Sequence, residues 1–589
     1  MDAAWLDRLI LLIVPFLTGA ALIWALWRSV SALSCAPDGE QQATPAAAAG
    51  SRQIRQSGLI LLLVIITVLA VTRTPFEAEN YEIAPDPTEY AAGARSLAES
   101  SGYYLRLGEQ NLPQRYAPWF SWLFLMPAFL LLGTSSIGYA VFPVTAAGVL
   151  AVVMAALIGK KLAGPWATAL CGLAVISCGS FRYLSGSIMT DVPVALFYLA
   201  GWLLFIGSAQ KQRPDPGTWT PAGILAAYGA AFKPTAAAIL VPFLLAALHN
   251  GAWRDRLSAA LRLLAPLALV TAASLVYNRL VFGSALRTGY NFWSPVPYDI
   301  PHLTLSLSYL AANMRELLDK TGILIFLLAT AVLPVFCRSA SLARSAEKGG
   351  RPADLLWKAS AIYILGSGLP TLAFYSVYFF QSYRFFLPVE IMLGVCAGAL
   401  LGRLMQILRV PLRSALSVLL ALSVVLGALR VGRGPKLVER RESVARLLML
   451  TPVDAIIVSG FDPVYLGTIA GNESRRNFIP VSERVEYASK HIAWSRIELP
   501  PEKTSDIKTA YSLLPSQPAV RRAVGLTALE SPQILLQWCR QGRAVFLETS
   551  LLTKAEVRQL RNAFSFEEIH SKLYRLRTSA GHDVNSRAN

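Results

Sequence analysis

Apolar and polar stretches alternate along this chain in long blocks. Runs of mostly apolar residues, each close to the length of a membrane-spanning helix, recur from residue 8 to residue 431. A helix that crosses the hydrocarbon core of a bilayer needs about 20 such residues. The pattern therefore predicts a polytopic α-helical membrane protein with about 12–13 membrane helices.

One part of this pattern does not fit a simple alternation of helices and loops. Three apolar segments, 116–132, 139–159 and 165–178, lie between loops 74–115 and 180–191, which we expect on the same side of the membrane. Three crossings cannot join two loops on one side, so one of the segments does not span the bilayer. The pattern leaves all three as candidates.

The pattern changes after residue 431. Apolar runs shorten to the length of strands, at 453–458 and 544–547, and helix-like segments at 529–541 and 553–562 alternate with them. Such alternation predicts a small C-terminal α/β soluble domain. We find in it no glycine-rich phosphate loop, nucleophile elbow or metal-binding spacing, which favours an accessory or acceptor-binding role.

The chain is thus expected to have three parts. Residues 1–57 form an extra N-terminal membrane helix and a cytoplasmic linker rich in Ala, Ser, Gln and Gly. Residues 58–431 form a transmembrane catalytic module, whose first outer loop is 74–115. Residues 432–589 form a periplasmic α/β accessory domain.

Charge supports this organisation and limits the possible partners. The formal net charge is +18, but the basic residues cluster in short loops between apolar segments, around 160–161, 211–213, 254–256, 338–358 and 403–413. Cytoplasmic loops of membrane proteins carry such an excess of Lys and Arg, so nucleic acid is not the expected partner. The alternating loops around 74–115, 180–191, 233, 280–320 and 377–384 then face outward. The six cysteines are scattered and predict no disulfide framework.

The first outer loop is rich in acids and contains the sequence Asp86-Pro87-Thr88-Glu89-Tyr90. One interpretation is a capping box that opens a helix over residues 90–100, with Asp86 at the N-cap and Glu89 three residues later. The other is that Asp86, held by a rigid turn at the membrane surface, is a general base for a hydroxyl. The two interpretations are compatible.

Further ionisable residues fall in the outward loops. Asp191 starts another membrane helix, either as an N-cap or as a functional acid. Lys233 interrupts an apolar stretch, either as a snorkelling lysine at a hairpin turn or as a phosphate-binding cation. Arg384 lies among aromatic residues, and Arg279 and Arg287 flank another outer turn. These arginines suit phosphate oxygens, or they anchor the interface.

In this order and spacing, the sequence resembles the GT-C superfamily of polyprenyl-phosphate-sugar-dependent glycosyltransferases, in particular the bacterial relatives of protein O-mannosyltransferases and aminoarabinose transferases. The resemblance covers about residues 58–431. Its elements are Asp86…Glu89-Tyr90, Tyr116-Ala117-Pro118, Thr190-Asp191, Phe232-Lys233-Pro234-Thr235, Tyr277-Asn278…Phe282-Gly283…Thr288-Gly289-Tyr290 and Tyr383-Arg384-Phe385.

The resemblance implies an inverting transfer of a sugar from a polyprenyl-phosphate donor to an extracytoplasmic acceptor, which is a glycolipid, a glycan or a protein. It implies a bacterial inner membrane protein with its active site on the periplasmic side. The implied catalytic acids are Asp86, Glu89 and Asp191; the implied donor-phosphate contacts are Lys233, Arg384, Arg287 and Arg279; and the implied substrate contacts are Tyr90 and Tyr290.

Two points stay open within the resemblance. Many relatives have adjacent Asp and Glu in the first loop, whereas Pro87 and Thr88 separate the acids here, so Glu89 remains an alternative base. The resemblance implies no obligatory cofactor and no metal, although a divalent metal stays an alternative. A lone His302 in an outer loop does not make a metal site.

Two other function classes compete with the enzyme. One is a transporter or flippase of lipid-linked sugars, and the other is a catalytically silent scaffold that uses the C-terminal domain for assembly. A transporter needs essential charges near the bilayer midplane. The charges singled out here lie at outer helix ends, which favours the enzyme, with Glu390 inside the apolar run 385–404 as the exception.

Overall fold

The structure is a computed structural model of the chain. It describes residues 17–30, 85–100, 102–107, 110–134, 136–209, 216–249, 252–293, 298, 301–318, 352–380, 382–407, 435–461, 463–471, 474–481, 528–529 and 531–578. Parts of the predicted run of apolar segments, at 58–76, 319–335 and 414–431, and the acids Glu77, Glu79 and Glu82 of the first outer loop lie outside these residues.

Most of the described chain up to residue 407 is helical. Its helices are Leu17–Val30, Pro85–Ala98, Phe120–Leu132, Val141–Ser177, Gly179–Ser185, Asp191–Ala209, Pro216–Phe232, Leu240–His249, Trp253–Phe282, Gly289–Trp293, Pro301–Thr304, 310–318, Pro352–Ser376 and Leu387–Ile407. Short 3₁₀ turns cover Ile137–Ala140, Pro234–Ile239, Leu307–Tyr309 and Tyr383–Phe386. In the described part of the chain, four helical stretches are long and apolar enough to cross a membrane: Ile137–Ser177, Asp191–Ala209, Trp253–Phe282 and Tyr383–Arg403.

The stretch Val141–Ser177 is a helical hairpin and not one straight helix. Its backbone leaves the helical region at Ala163 and Gly164, and Gly164 has a φ of 75°. A Cβ on Gly159 would lie 2.6 Å from the Cys171 sulfur, although twelve residues of a straight helix span about 18 Å. The second arm therefore folds back on the first, and both predicted segments, 139–159 and 165–178, cross the bundle.

The segment that does not cross is the third candidate, 116–132. Its helix begins as a six-residue π-helix, Phe120–Leu125, and continues as Met126–Leu132. At 13 residues it is about 20 Å long, as is the second hairpin arm 165–177, so its contacts and not its length show that it does not cross. Both of its halves contact helix Pro85–Ala98, which also contacts the turn Ile137–Ala140. The segment thus lies along one end of the bundle. Two crossings, the arms of the hairpin, then join loops 74–115 and 180–191, so both loops lie on the same side as predicted.

The two ends of the helical hairpin mark the predicted outer end of the bundle and the opposite end. At the outer end, the Thr145 hydroxyl donates to the Ser185 carbonyl at 3.0 Å. At the opposite end, helix Leu387–Ile407 lies so close to the second hairpin arm that a Cβ on Gly402 would meet the Ala167 side chain at 2.5 Å. The loops predicted to face outward thereby meet at one end.

The C-terminal part is the predicted α/β domain. Its sheet has the strand order β4-β3-β5-β7-β6, with β3 (Ile456–Ser459) parallel to β4 (Asn477–Pro480) and β5 (Val545–Glu548), and with β7 (Leu573–Thr578) antiparallel to β5 and β6 (Phe564–His570). Helices Pro435–Leu450 and Pro463–Ala470 cover one face, and helices Pro532–Arg540 and Lys554–Ala563 cover the other. A small hairpin of β1 (Tyr104–Leu107) and β2 (Gln110–Pro113) lies in the first outer loop.

Candidate active site

The helix Pro85–Ala98, called here the acidic helix, carries the first two candidate acids. It starts at Pro85, so Asp86 lies inside its first turn and the prediction of Asp86 as the N-cap is wrong. Proline at 85 and 87 fits this start, because the first N–H groups of a helix have no intrahelical acceptor. The first turn also favours carboxylates through the helix dipole.

Asp86 is the centre of a cluster of side-chain donors from two other parts of the chain. Arg384 Nη2 donates to Asp86 Oδ2 at 2.7 Å, and Arg115 Nη2 donates to Asp86 Oδ1 at 3.1 Å. The Tyr116 hydroxyl also donates to Oδ1 in a short hydrogen bond. The Asp86 side chain remains 19% exposed. A carboxylate held in this way is oriented and still open to a substrate.

Glu89 has a different environment from Asp86. Its side chain is fully buried, and its Oε1 accepts from Arg115 Nη2 at 3.0 Å. Arg115 therefore bridges the two acids of the acidic helix. A carboxylate without solvent exposure cannot contact a substrate unless the site rearranges, so Asp86 is better placed than Glu89 to act as a base.

Asp191 and Lys233 form a second ion pair at the same end of the bundle. Helix Asp191–Ala209 begins at Asp191, and Lys233 lies at the turn between helix Pro216–Phe232 and the turn Pro234–Ile239. Their side chains are 1% and 13% exposed, and Lys233 Nζ donates to Asp191 Oδ1 in a short contact. Lys233 is thus at the predicted hairpin turn, but its ammonium points to an acid and does not snorkel toward solvent.

Phe385 joins the two ion pairs. The Lys233 ammonium lies 4.8 Å from the centre of the Phe385 ring, and the Arg384 guanidinium carbon lies 5.2 Å from it. Arg384 Nη1 also reaches the sulfur of Met189, two residues before Asp191, at 3.7 Å. Cations near the face of an aromatic ring are attracted by its quadrupole. The structure therefore gathers Asp86, Asp191, Lys233 and Arg384 in one cluster.

Tyrosines form one side of this cluster. The rings of Tyr90 and Tyr116 are 4.2 Å apart, and those of Tyr116 and Tyr290 are 5.5 Å apart and nearly perpendicular. Burial raises the pKa of Tyr90 and of Tyr116 well above the ordinary value. The hydroxyls therefore stay protonated and act as hydrogen-bond donors. Tyr90 and Tyr290 are the two tyrosines predicted to contact substrate. Each packs against the ring of Tyr116, whose hydroxyl donates to Asp86.

Arg279 and Arg287 are not part of the cluster that the described residues form. Both side chains are exposed. The Arg279 guanidinium donates to the Gly283 carbonyl, just beyond the end of its own helix Trp253–Phe282. An arginine at a helix C-terminus is stabilised there by the helix dipole. Their predicted contact with the donor phosphate has no support from the geometry.

Two residues of the cluster, Arg115 and Tyr116, were not predicted as site residues. They follow β2, and the β1–β2 hairpin returns the chain to the start of the acidic helix. The available signal was the position of Tyr116 in the motif Tyr116-Ala117-Pro118. Within the described residues, no group of three or more His, Cys, Asp or Glu side chains converges as metal ligands would.

Comparison with known proteins gives one family match and a set of solved structures with a similar fold. The family described as dolichyl-phosphate-mannose-protein mannosyltransferase matches residues 116–277. No protein of curated function matches the sequence. The segment matched by the family includes Tyr116, Asp191 and Lys233.

Solved structures resemble the chain over most of its length. The crystal structure of ArnT from Cupriavidus metallidurans bound to undecaprenyl phosphate has a TM-score of 0.54 at 12% identity, over 89% of this chain and 98% of that chain. The apo state of the same protein has a TM-score of 0.52 at 12% identity, over 90% and 98%. AglB from Archaeoglobus fulgidus, in complex with an inhibitory peptide and a dolichol-phosphate, reaches 0.48 at 12% identity, over 72% and 64%. At this identity the likeness concerns the fold.

Proposed function

The chain is a membrane protein with the GT-C fold, and on that premise we propose that it is a glycosyltransferase that uses a polyprenyl-phosphate-linked sugar as donor. The acceptor is a hydroxyl of a glycolipid, a glycan or a protein on the extracytoplasmic side of a bacterial inner membrane. The reaction inverts the configuration at the sugar C1. We assign the base to Asp86 and the donor phosphate to Arg384 and Lys233.

The observation that carries this proposal is the pairing of acids and cations at one end of the bundle. Transfer from a lipid phosphate requires a base for the acceptor and positive charge for the leaving phosphate. Asp86 and Arg384 are in contact at 2.7 Å, and the cations of Arg384 and Lys233 lie 5.2 and 4.8 Å from the centre of the Phe385 ring. An ArnT structure of the same fold was crystallised with undecaprenyl phosphate, which supports this class of donor.

The chemical step follows from these roles. The acceptor oxygen forms a bond to the sugar C1 while the bond between C1 and the phosphate oxygen breaks, and the electron pair of that bond leaves with the phosphate. The acceptor proton passes to Asp86, the most exposed of the three candidate acids at 19%. Arg384 and Lys233 stabilise the charge that develops on the phosphate. Asp191 holds Lys233, and Arg115 and Tyr116 orient Asp86.

The two ion pairs also give each cation a temporary partner. Burying an unpaired charge is costly, so Arg384 and Lys233 need the carboxylates of Asp86 and Asp191 until a phosphate replaces them. When the phosphate replaces Asp86 as the partner of Arg384, Asp86 loses a hydrogen-bond donor and becomes more basic. Donor binding thus prepares the base for the acceptor.

The test is transfer of label from a pool of radiolabelled polyprenyl-phosphate sugars into membrane acceptors. Membranes that contain the wild-type protein, the Asp86→Asn variant or no protein are compared. We expect labelled acceptor only with the wild-type protein. The same acceptor pattern in all three samples, with a donor pool that covers the common sugars, would refute the proposal and favour a transporter of lipid-linked sugars.

A further inference from the structure

The acidic helix is buried on nearly all sides although it does not cross the membrane. From Thr88 to Leu97, the exposed fraction of its buried residues never exceeds 8%: Thr88, Glu89, Tyr90, Ala91, Ala92, Ala94, Arg95, Ser96 and Leu97. Its neighbours are the Phe120–Leu132 segment, the turn Ile137–Ala140, β1 and helix Pro463–Ala470. The position of this helix is therefore set by packing against separate elements.

One of these neighbours belongs to the C-terminal domain. Helix Pro463–Ala470, called here the docking helix, contacts both the acidic helix and β1. Its Leu466 is 1% exposed and belongs to the apolar cluster on one face of the C-terminal sheet. Its Ile469 packs against that cluster and also against the core of the membrane module. Among the described side chains of the docking helix, Ile469 therefore contacts both cores.

The contact falls on the back of the acidic helix. Gly471, directly after the docking helix, has a φ of 83°, and a Cβ placed there would lie 3.9 Å from Arg95 Nη1. Arg95 follows Asp86 by nine residues, which at about 100° per residue is half a turn away around the helix. The docking helix therefore supports the side opposite the one that presents Asp86.

We propose that the docking helix is a positioning element for the proposed base, and that Ile469 is its positioning residue. This inference rests on the proposed role of Asp86. Asp86 accepts from Arg115, Tyr116 and Arg384 at once, and these donors lie outside the acidic helix, in the stretch after β2 and in the turn Tyr383–Phe386. A displacement of about 1 Å at a catalytic group can lower a rate by about two orders of magnitude.

The proposal gives the C-terminal domain a role besides acceptor binding. The domain contributes to the support of the catalytic geometry from outside the membrane module. The acidic helix has small residues from Ala91 to Ala94. Gly93 within it leaves space for the hairpin, since a Cβ there would lie 2.7 Å from Gln114 Nε2.

The test uses the full-length protein and two readouts. Ile469→Ala removes the bridging side chain, and Ile469→Leu is the conservative variant expected to rescue it. Ile534→Ala is the matched control, because this isoleucine is 36% exposed on helix Pro532–Arg540, which covers the other face of the sheet. The first readout is hydrogen exchange of the amides of residues 88–97. The second is kcat and KM for the donor, with binding of polyprenyl phosphate measured separately.

For Ile469→Ala we expect exchange in the acidic helix to accelerate and kcat to fall, each about tenfold, while polyprenyl phosphate still binds. Ile469→Leu and Ile534→Ala should resemble the wild-type protein in both readouts. Unchanged exchange in Ile469→Ala would overturn the inference. Equal acceleration in Ile534→Ala would also overturn it, because the effect would then reflect the stability of the domain. Exchange does not depend on transfer, so a failure of the proposed function would be seen separately, as absence of transfer by the wild-type protein.

Discussion

The Asp86→Asn variant should bind polyprenyl phosphate more tightly than the wild-type protein, even though it should not catalyse transfer. In the structure, Arg384 Nη2 donates to Asp86 Oδ2 at 2.7 Å, and the two side chains are 24% and 19% exposed. A lipid phosphate must replace this carboxylate as the partner of Arg384. Removal of the carboxylate charge therefore removes a competitor of the ligand.

The size of the effect follows from the difference between charged and neutral hydrogen bonds. A hydrogen bond to a charged group contributes about 1.5–3 kcal/mol, and one between neutral groups about 0.5–1.5 kcal/mol. Asparagine removes one of the two charges of this bond and keeps the charge of Arg384, so we expect the phosphate to gain about 1–1.5 kcal/mol, or roughly a five- to twelvefold lower Kd. Arg115 and Tyr116 share the Asp86 carboxylate, so we expect the lower end of this range.

The assay is a titration of polyprenyl phosphate into protein held in lipid nanodiscs. Glu89→Gln is the matched control, because Glu89 contacts Arg115 and is a fully buried neighbour of Asp86 on the same helix. We expect this control to leave the Kd within about twofold, and Arg384→Gln to raise the Kd. An unchanged or higher Kd in Asp86→Asn would refute the idea that the acid and the phosphate compete for Arg384.

Three further predictions follow from the geometry. Lys233→Ala should weaken the use of donor more than the use of acceptor, which separate titrations of the two substrates would detect; equal effects would remove Lys233 from the phosphate site. Tyr116→Phe should lower kcat about five- to tenfold with little change in KM, because a hydrogen bond worth about 1 kcal/mol no longer orients Asp86, and an unchanged kcat would contradict this role. Burial raises the pKa of the Glu548 carboxyl above its ordinary value of 4.5, so its contribution to stability is full below about pH 4.5 and is lost as the pH rises through the raised value. Glu548→Gln should remove that loss, as measured by the protection of β5 amides against hydrogen exchange at two pH values, and an identical pH dependence would contradict it.

The membrane architecture was largely accessible from the sequence. Hydropathy and the alternation of basic loops predicted a polytopic helical protein, and the GT-C-like fold is confirmed. The short C-terminal runs predicted strands at 453–458 and 544–547, and the structure has β3 at Ile456–Ser459 and β5 at Val545–Glu548. The spacing of apolar residues and the length of each apolar run were sufficient there, because local sequence pattern defines these elements.

The segment 116–132 shows where local pattern was not sufficient. It is as apolar as its neighbours, and only its contacts with the acidic helix show that it lies along the predicted outer end of the bundle. The reversal at Ala163 and Gly164 was accessible, because the sequence predicted a basic loop at 160–161 between the segments 139–159 and 165–178. Only the placement of 116–132 depends on tertiary packing.

The candidate site was predicted in part for the same reason. Asp86, Asp191, Lys233 and Arg384 could be assigned to one face from the side on which each loop lies, and the structure brings them together. The partners Arg115 and Tyr116 reach Asp86 from 29 and 30 residues away through a hairpin that the sequence did not suggest. The contact of the docking helix spans more than 370 residues and leaves no local signal.

The most direct test of the central claim is a single-turnover reaction with purified protein, a radiolabelled polyprenyl-phosphate sugar and an acceptor. The account predicts that the wild-type protein releases one polyprenyl phosphate for each glycosylated acceptor. It also predicts that Asp86→Asn binds the donor and forms neither product. Turnover by Asp86→Asn at the wild-type rate would contradict the role of Asp86. Movement of intact labelled donor across a vesicle membrane, without cleavage of the bond between sugar and phosphate, would contradict glycosyl transfer itself.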